Sequence, residues 1–316
     1  MKILITGACG FIGMHLSERL LSKGFEVVGI DNLSQFSNYH LKKSRHARLK
    51  VNQHFKFINL DVSEINKIEF NERYDCIIHL AAHAGVRESF NNSYSYIKNN
   101  ILAHLEMLKF GQKHSKKFIY ASSSSVYGSH KNIKSKENHV TDNPSSIYGI
   151  TKKSCEMISK NFFDVTGYPS LGLRFFSVYG QYGRPDMVYW NFTRKIINDE
   201  RITLLDHGNH LRDFTFISDI VDGVEKLIVD FNFQENLTMN LGNGNPRKIT
   251  ELLAIIEKLL AKKSKVKCID GDVQDVPLTS SDNSLANRLI KYSPKVSLEE
   301  GMSRFVKWYK DSNINY

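Results

Sequence analysis

The sequence contains few cysteines. Four occur in 316 residues, at positions 9, 76, 155 and 268, and none forms a Cys-x-x-Cys pair. This spacing argues against disulfide frameworks and zinc sites, and the histidines form no metal-ligand cluster either, so no metal is expected. Such cysteine usage is typical of a reducing compartment, and we predict a cytoplasmic location. Cys9, Cys76 and Cys155 stand among apolar or small residues and are predicted to be buried.

Long hydrophobic runs are also missing. No apolar stretch reaches the roughly 18 residues that span a bilayer, so we expect no membrane association. The first five residues resemble the start of a signal peptide, but glycines follow at once and His15 and Glu18 interrupt the apolar region, so no signal peptide is expected. Apolar residues make up 41% and charged residues 24% of the chain, which is typical of a globular protein with a large core.

Acidic residues are outnumbered by basic ones, and the formal net charge is +10. Basic side chains cluster at 40–50, 131–136 and 262–267. A basic surface suits anionic ligands. These clusters lack interleaved aromatic residues and match no nucleic-acid-binding motif, so no nucleic acid is expected. Solvated surfaces and a phosphate-rich small ligand explain the charge equally well.

Strand and helix patterns alternate along the first half of the chain. Short apolar runs predict strands, and apolar residues at helical spacing predict helices. The predicted strands are 2–6, 26–30, 55–60, 75–80, 117–121 and 168–176, and the predicted helices are 11–22, 93–114 and 145–166. Residues 33–53 are polar and basic, and we interpret them as a surface excursion with room for one helix. The alternation predicts an α/β fold, a Rossmann-type doubly wound parallel sheet with helices on both faces.

The pattern loosens after about residue 176. Short strand patterns at 202–205, 214–217 and 239–241 alternate with helical patterns at 188–198, 220–230, 250–261 and 298–310. We interpret this half as a smaller C-terminal α/β lobe that closes over the carboxyl edge of the sheet. The predicted organisation is a cofactor-binding domain at 1–176 and a mainly substrate-binding lobe at 177–316, with the chain interleaving between them.

Glycines follow the first predicted strand at Gly7, Gly10 and Gly13. Between a strand and a helix, glycines permit a tight turn and let backbone N–H groups approach a pyrophosphate. The spacing is G-x-x-G-x-x-G, which taken alone also suits a purely structural turn. Asp31 follows the second strand, where a carboxylate can bind the adenosine ribose and would repel a 2′-phosphate, which favours NAD over NADP. Asp61, after the third strand, is a predicted partner of the adenine.

Tyr148 and Lys152 are four residues apart in a predicted helix and therefore share one face. A phenol alone is a poor base at neutral pH, but a lysine charge nearby favours the phenolate. Such a tyrosine can take a proton from a hydroxyl and later return it. An exposed pair on an ordinary helix is the alternative interpretation. Ser123 ends the fifth strand, where ligands bind in such sheets, and its hydroxyl could share the substrate's hydrogen bond.

These motifs together resemble the extended short-chain dehydrogenase/reductases, specifically the nucleotide-sugar epimerases. The resemblance is carried by residues 6–13, 79–82, 122–128, 148–152 and 212–214. It implies catalytic roles for Tyr148, Lys152 and Ser123. It also implies NAD as the cofactor, held by Gly7, Gly10, Phe11, Ile12, Gly13, Asp31, Asn32, Asp61, Val62, Leu80, Ala81, Ala82, Asn99, Tyr148 and Lys152.

A narrower resemblance points to UDP-glucuronate 4-epimerases. It is carried by residues 84–89, 174–180 and 183–187, and by 275–279, where Gln274 replaces a usual glycine. His83 stands where glutamine is common. In this family an arginine at the position of Arg184 faces the sugar carboxylate, and the residue at Arg212 binds the diphosphate. The substrate residues predicted on this basis are Arg87, Ser123, Ser177, Arg184, Arg212 and Asp275.

The resemblance implies conversion of UDP-glucuronate to UDP-galacturonate through a 4-keto sugar, for polysaccharide biosynthesis. It also implies a homodimer that pairs through the helices at 93–114 and 145–166. A UDP-glucose or UDP-N-acetylglucosamine 4-epimerase is the runner-up. Dehydratases usually carry an Asp-Glu pair where Ser124 and Ser125 stand, and UDP-glucuronate decarboxylases usually carry Glu at the position of Ser125. The intact catalytic residues argue against a non-catalytic NAD-binding regulator.

Overall fold

The computed structural model of the protein describes residues 1–34, 36, 39–129, 134–270 and 276–312. The strands are β1 (Lys2–Thr6), β2 (Glu26–Asp31), β3 (Phe55–Asn59), β4 (Cys76–His79), β5 (Phe118–Ser123), β6 (Ser170–Phe175), β7 (Ser177–Tyr179), β8 (Arg201–Leu205), β9 (Leu211–Arg212), β10 (Phe214–Phe216), β11 (Leu237–Leu241), β12 (Arg247–Lys248) and β13 (Lys265–Ile269). The α-helices are α1 (Phe11–Ser22), α2 (Tyr39–Lys50), α3 (Val86–Asn91), α4 (Ser93–Tyr96), α5 (Ala103–His114), α6 (Ile147–Thr166), α7 (Val188–Ile197), α8 (Ile217–Val229), α9 (Ile249–Leu260), α10 (Ser284–Ile290) and α11 (Leu298–Asp311).

Seven parallel strands in the described part of the chain form the central sheet, in the order β3-β2-β1-β4-β5-β6-β11. The chain runs outward from β1 to β3 and then returns to β4, so the strand order reverses between β1 and β4. Ligands of such sheets bind at this reversal, beyond the carboxyl ends of the strands. The predicted doubly wound parallel sheet is confirmed.

Both faces of the sheet are buried. In β1, Ile3 and Ile5 belong to the apolar cluster that includes residues of α1 and α8, whereas Leu4 belongs to the cluster that includes residues of α5. Successive side chains of a strand point to opposite faces, so a continuous apolar run such as β1 fits a sheet that is covered twice. The predicted burial of Cys9, Cys76 and Cys155 is confirmed.

The segment expected to be a surface excursion is more deeply integrated than predicted. It contains the helix α2, and the buried residues of this helix include Lys42 and Arg45. Because these cations find acceptors inside the protein, a sequence that looks like a solvated basic surface packs one face inward.

The long helix predicted at 93–114 is divided. A π-helical turn, Ile97–Leu102, separates α4 from α5. Such turns are rare and often occur near functional sites. Here the turn contains Asn99, which lines the cleft described below, and Asn100, whose buried side chain bonds to α6. No helix in the described ranges is long and apolar enough to cross a membrane.

The second half of the chain forms small two-stranded sheets, β7 with β10, β8 with β13 and β9 with β12, together with helices. The strand pattern that we assigned to this lobe at 239–241 is instead part of β11, which pairs with β6 at the edge of the central sheet. All six residues of β6 are buried, and β11 covers the edge that they would otherwise expose. The division at residue 176 stays a prediction.

Candidate active site

A cleft of about 540 Å³ opens at the carboxyl edge of the sheet. It brings together every predicted cofactor residue, the three predicted catalytic residues and two of the predicted substrate residues, Ser123 and Arg184. These lining residues are Gly7, Gly10, Phe11, Ile12, Gly13, Asp31, Asn32, Asp61, Val62, Leu80, Ala81, Ala82, Asn99, Ser123, Tyr148, Lys152 and Arg184. Segments far apart in the sequence therefore meet where the strand order predicts a ligand.

The glycine-rich turn leaves no room for side chains. Gly7 has a φ of +69°, and a Cβ there would lie 2.8 Å from the backbone nitrogen of Ala81. A Cβ on Gly13 would lie 2.1 Å from the carbonyl oxygen of Gly7. Helix α1 begins after Gly10 without a side-chain cap. Its first N–H groups remain available for an anion, so the turn fits a dinucleotide pyrophosphate.

Asp31 is buried at the end of β2. Its Oδ2 accepts from the Cys9 N–H at 3.1 Å, and its Oδ1 accepts from the Leu33 N–H at 2.9 Å and from Lys42 Nζ at 3.1 Å. Sequence reasoning missed Lys42, although Leu41, Arg45 and Leu49 recur around it at helical spacing and signal a buried face. The Lys42 ammonium partly offsets the negative charge of Asp31. It therefore weakens the repulsion of a 2′-phosphate from which we predicted a preference for NAD over NADP.

Asp61 precedes a 3₁₀-turn and caps it. Its Oδ1 accepts from the backbone N–H and the hydroxyl of Ser63 at 3.0 and 2.7 Å, and its Oδ2 accepts from Asn32 Nδ2 at 3.1 Å. Burial pushes the pKa of Asp61 up, but these hydrogen bonds outweigh burial and hold its pKa below the usual range. The carboxylate is therefore charged at neutral pH and fixes the side chain of Asn32 in the cleft.

The predicted catalytic groups converge from α6 and β5. Helix α6 is capped by Ser146, whose Oγ accepts from the Gly149 N–H at 3.0 Å, so the half-buried Tyr148 lies in its first turn. Lys152 is buried one turn later, and its Nζ donates to the Ala121 carbonyl at 2.8 Å. Lys152 thus holds its ammonium in the cleft that Tyr148 also lines.

Ser123 ends β5 and begins a 3₁₀-turn. Its Oγ accepts from the Ser125 N–H and donates to Ser125 Oγ, both at 3.2 Å. The hydroxyl is thus fixed at the edge of the cleft that Tyr148 also lines. A substrate hydroxyl between these two residues could bond to both.

Two neighbouring asparagines have different surroundings. Asn99, a predicted cofactor residue, donates from Nδ2 to the Ser95 carbonyl at 2.8 Å. Asn100, which sequence reasoning missed, is buried and donates from Nδ2 to Thr151 Oγ1 at 2.9 Å. Thr151 in turn donates to the Tyr148 carbonyl at 2.8 Å. Asn100 therefore supports the first turn of α6 from behind.

His83 lies in the wall of the cleft, stacked on Phe36 with ring centroids 3.7 Å apart. Its Nδ1 is 3.1 Å from Ser95 Oγ. Burial, with a further contribution from the charge of Lys42, lowers the pKa of His83 to about 4. The imidazole is therefore neutral at physiological pH.

Arg184 enters the cleft from the loop after β7. Its Nη2 donates to the Ala84 carbonyl at 3.2 Å, and its Nε donates to Asp186 Oδ1 at 3.0 Å. A second bond joins Nη2 to Asp186 Oδ2, so the carboxylate occupies the edge formed by Nε and Nη2. A substrate carboxylate would have to use the Nη1 side or displace Asp186, which sequence reasoning did not anticipate.

Behind the catalytic groups lies a buried ion pair that the sequence did not reveal. Arg174 of β6 donates from Nε and Nη2 to the two carboxylate oxygens of Glu156 of α6, each at 2.8 Å. Ser122 Oγ donates to the same carboxylate at 2.6 Å. The pair joins β6 to the helix that carries Lys152, and the Ser122 bond ties the strand that ends in Ser123 to the same carboxylate.

The other predicted substrate residues are not part of the cleft wall formed by described residues. Arg87 is exposed on α3, and Arg212 lies in β9, where its Nη1 donates to the Leu211 carbonyl at 3.0 Å. Ser177 lies in β7, whose next residue lines the cleft. Asp275 lies outside the described residues. Their roles stay predictions.

A parallel sheet with a glycine-rich turn, an acidic residue after β2 and a serine, tyrosine and lysine in one cleft are the features of an extended short-chain dehydrogenase/reductase. The chain belongs to the family described as GDP-mannose 4,6 dehydratase, which matches residues 4–305.

Three relatives narrow the comparison. A UDP-glucuronate 4-epimerase from Thermodesulfobacterium geofontis is 36% identical over 98% of this chain and 96% of its own length. The crystal structure of the UDP-glucuronic acid 4-epimerase from Bacillus cereus with UDP-glucuronic acid and NAD has a TM-score of 0.91 at 32% identity, covering 99% of this chain and all of the other. A UDP-N-acetylglucosamine 4-epimerase from Methanobrevibacter ruminantium, in complex with UDP-N-acetylmuramic acid, has a TM-score of 0.89 at 28% identity and covers 98% of both chains. The chain is thus similar to UDP-sugar 4-epimerases of more than one substrate class.

Proposed function

We propose that the protein is an NAD-dependent 4-epimerase that interconverts UDP-glucuronate and UDP-galacturonate. The observation that carries the proposal is the guanidinium of Arg184, which lines the same cleft as Tyr148 and Lys152. Glucuronate differs from glucose by a carboxylate at C6, and a guanidinium is the side chain best suited to hold one. The similarity to UDP-glucuronate 4-epimerases supports this substrate class.

The cofactor proposed for this reaction is NAD. Gly7 and Gly13 permit the tight turn that would present the first N–H groups of α1 to its pyrophosphate, Asp31 would bind the adenosine ribose, and the charged Asp61 would stand near the adenine with Asn32. The chemistry that NAD supplies when bound is the reversible acceptance of a hydride from C4 of the sugar.

In the proposed reaction the residues of this chain take one proton from the substrate and later return it. The phenolate of Tyr148 accepts the proton of the substrate 4-hydroxyl, and Lys152 makes this favourable because its charge stabilises the phenolate. The Ser123 hydroxyl would bond to the same substrate oxygen and restrict its position. After the 4-keto sugar has presented its other face, Tyr148 returns the proton to the carbonyl oxygen, and the opposite epimer results.

The proposed role of Arg184 is to hold the C6 carboxylate and protect it from decarboxylation. A β-keto acid loses CO2 readily when its carboxylate can rotate out of the carbonyl plane. A charged clamp keeps the negative charge on the carboxylate and restrains this rotation. The bond from Arg184 to the Ala84 carbonyl would keep the guanidinium in place while its carboxylate partner changes.

A neutral-sugar 4-epimerase is the second candidate. The observation that favours it is the pair between Arg184 and Asp186, because a guanidinium that is already neutralised does not require a charged substrate. The similarity to a UDP-N-acetylglucosamine 4-epimerase is consistent with this alternative.

The two candidate functions are distinguished by incubating the purified protein with UDP-glucuronate, UDP-glucose or UDP-N-acetylglucosamine and separating the products. We expect UDP-galacturonate as the main product, without UDP-xylose. Arg184→Ala should lower turnover of UDP-glucuronate more than that of UDP-glucose, by about 1.5–3 kcal/mol in transition-state free energy, and should raise the fraction of released 4-keto pentose. Arg288→Ala removes an exposed arginine of α10 and is the matched control. A uronate preference that survives in Arg184→Ala would transfer this role to another residue.

We further propose a homodimer that pairs through the helical segment 93–114 and α6. Its support is a set of exposed apolar side chains on these two segments, Tyr94, Ile97, Leu102, Ile150 and Met157. Light scattering of Met157→Lys against the unmodified protein tests it. The cytoplasmic location and a role in polysaccharide biosynthesis stay predictions.

A further inference from the structure

Arg45 of α2 joins two loops that serve different parts of the cleft. It is 4% exposed. Its Nη1 donates to the carbonyl of Cys9, inside the glycine-rich turn, at 3.2 Å. Its Nε and Nη2 donate to the Tyr182 carbonyl at 3.0 and 2.6 Å, and Nη2 also donates to the Gly183 carbonyl at 2.9 Å. One rigid guanidinium thus bonds to the cofactor turn and to the backbone directly before Arg184.

The loop that receives these bonds needs support. Tyr182 has a φ of +54°, a left-handed conformation that costs a non-glycine residue free energy and persists only where its surroundings impose it. His15 of α1 contacts the adjacent Gln181 carbonyl at 2.9 Å, and Arg48 lies over the Tyr182 ring. Arg45 is the residue among these that also bonds to the glycine-rich turn.

The contacts form a continuous path. Asp31 accepts from the Cys9 N–H, the Cys9 carbonyl accepts from Arg45, and Arg45 donates to the backbone that leads into Arg184. Lys42, one helical turn before Arg45, pairs with the same Asp31. A ligand that fixes the glycine-rich turn and Asp31 therefore also restricts Arg45.

We propose that Arg45 is a positioning residue that couples occupancy of the dinucleotide site to the placement of Arg184. The inference rests on the proposed function, because Arg184 matters most for a substrate that carries a carboxylate. Binding of NAD restricts the Cys9 carbonyl, and Arg45 transmits this restriction to residues 182–183. The sugar carboxylate then meets an arginine that is already ordered, and it binds more tightly because less conformational freedom is lost.

A purely structural role would produce a different result. If Arg45 only stabilises the fold, its replacement lowers the melting temperature and leaves the mutual effect of the two ligands unchanged. If Arg45 couples the sites, its replacement lowers the ratio of the UDP-sugar dissociation constant measured without NAD to that measured with NAD. By thermodynamic linkage, the ratio of NAD dissociation constants without and with UDP-sugar must fall by the same factor.

The test uses the full-length protein in a Tyr148→Phe background, so that ligands bind without turnover. UDP-glucuronate and UDP-glucose are each titrated by calorimetry with and without saturating NAD. Arg45→Met keeps the aliphatic stem and removes every donor, and Arg45→Lys keeps the charge but cannot span both loops. Lys43→Ala is the matched control, since Lys43 is an exposed cation of α2 whose ammonium lies over the Tyr39 ring.

We expect NAD to tighten UDP-glucuronate binding about 5-fold or more in the background protein and in Lys43→Ala, and less than about 2-fold in Arg45→Met. In Arg45→Lys the effect of NAD on UDP-glucuronate affinity should lie between these values, and this variant serves as the test if Arg45→Met does not fold. Equal coupling in the Arg45 variants and the control would overturn the inference, as would the absence of coupling in the background protein. If UDP-glucose binds as tightly as UDP-glucuronate, the proposed substrate is wrong instead, and the coupling between NAD and UDP-glucuronate in the Arg45 variants still decides on Arg45.

Discussion

Replacing either member of the buried pair between Glu156 and Arg174 should strongly destabilise the protein. Both side chains are almost fully buried, with 6% and 4% exposure. Removal of one partner leaves the other charge uncompensated in the interior, which costs about 3–5 kcal/mol. We therefore expect Glu156→Leu and Arg174→Met each to lower the free energy of unfolding by that amount.

The double variant separates charge compensation from simple packing. It buries no charge, but Ser122 Oγ loses its acceptor and the Glu137 carbonyl loses its Arg174 donor. The Tyr127 hydroxyl, which also accepts from Arg174, keeps its bond to Asn240. At about 1–3 kcal/mol for each group, the double variant should lose about 2–6 kcal/mol, less than the about 6–10 kcal/mol to which the two single losses add. The free energies come from urea unfolding of all four proteins, with Asp164→Asn as a control. Asp164 forms an exposed pair with Lys160 on the same helix, and its loss should cost at most about 1 kcal/mol. Single losses below about 1 kcal/mol, or strictly additive losses, would refute the reasoning.

Three further predictions concern the cleft. Tyr148→Phe should lower turnover by about 10²- to 10⁴-fold, whereas its NAD affinity, measured by titration, should not change. Ser123→Ala should lower turnover less, because the base remains. Turnover of Tyr148→Phe at the wild-type rate would show that Tyr148 is not the base. The protein should bind NAD more tightly than NADP in equilibrium titrations. Asp31→Ala should reduce this difference in affinity, and Lys42→Ala should increase it. Equal affinity of the unmodified protein for both cofactors would contradict the role assigned to Asp31. Because the pKa of His83 lies at about 4 in the folded protein and at an ordinary 6.5 when unfolded, the unfolded chain binds more protons between these values and stability should fall as pH drops from 6.5 to 4. His83→Gln should flatten this fall in melting temperature, and an unchanged pH profile would show that other groups cause it.

Local patterns predicted the elements that bind a dinucleotide. The strand β1, the glycine-rich turn and Asp31 follow one another within a short segment, and each has its own sequence signal. The cleft collects all of these residues because parallel strands end at one edge. The helix periodicity likewise placed Tyr148 and Lys152 on one face.

The parts that could not be predicted depend on tertiary partners. The helical spacing of α2 signals a buried face, but it does not show that Lys42 meets Asp31 or that Arg45 meets Cys9, since both acceptors come from other elements. Asp186 lies two residues from Arg184, but spacing alone does not show that it occupies the guanidinium. The strand β11 was detected, yet its partner β6 is remote in sequence, and short strand patterns do not specify their neighbours.

The π-helical turn between α4 and α5 has a consequence for the evolution of this site. A π-helical turn contains one residue more than the α-helical turn that it replaces, so it corresponds to a single-residue insertion that the helix absorbed without breaking. Downstream of such an insertion every residue is rotated by about 100° about the helix axis, since an α-helix has 3.6 residues per turn. Asn99 at the cleft and Asn100 against α6 lie inside this turn. A regular α-helix through this segment would direct Asn99 and Asn100 differently, so the wider turn places one residue at the cleft and the other against the helix that carries Tyr148.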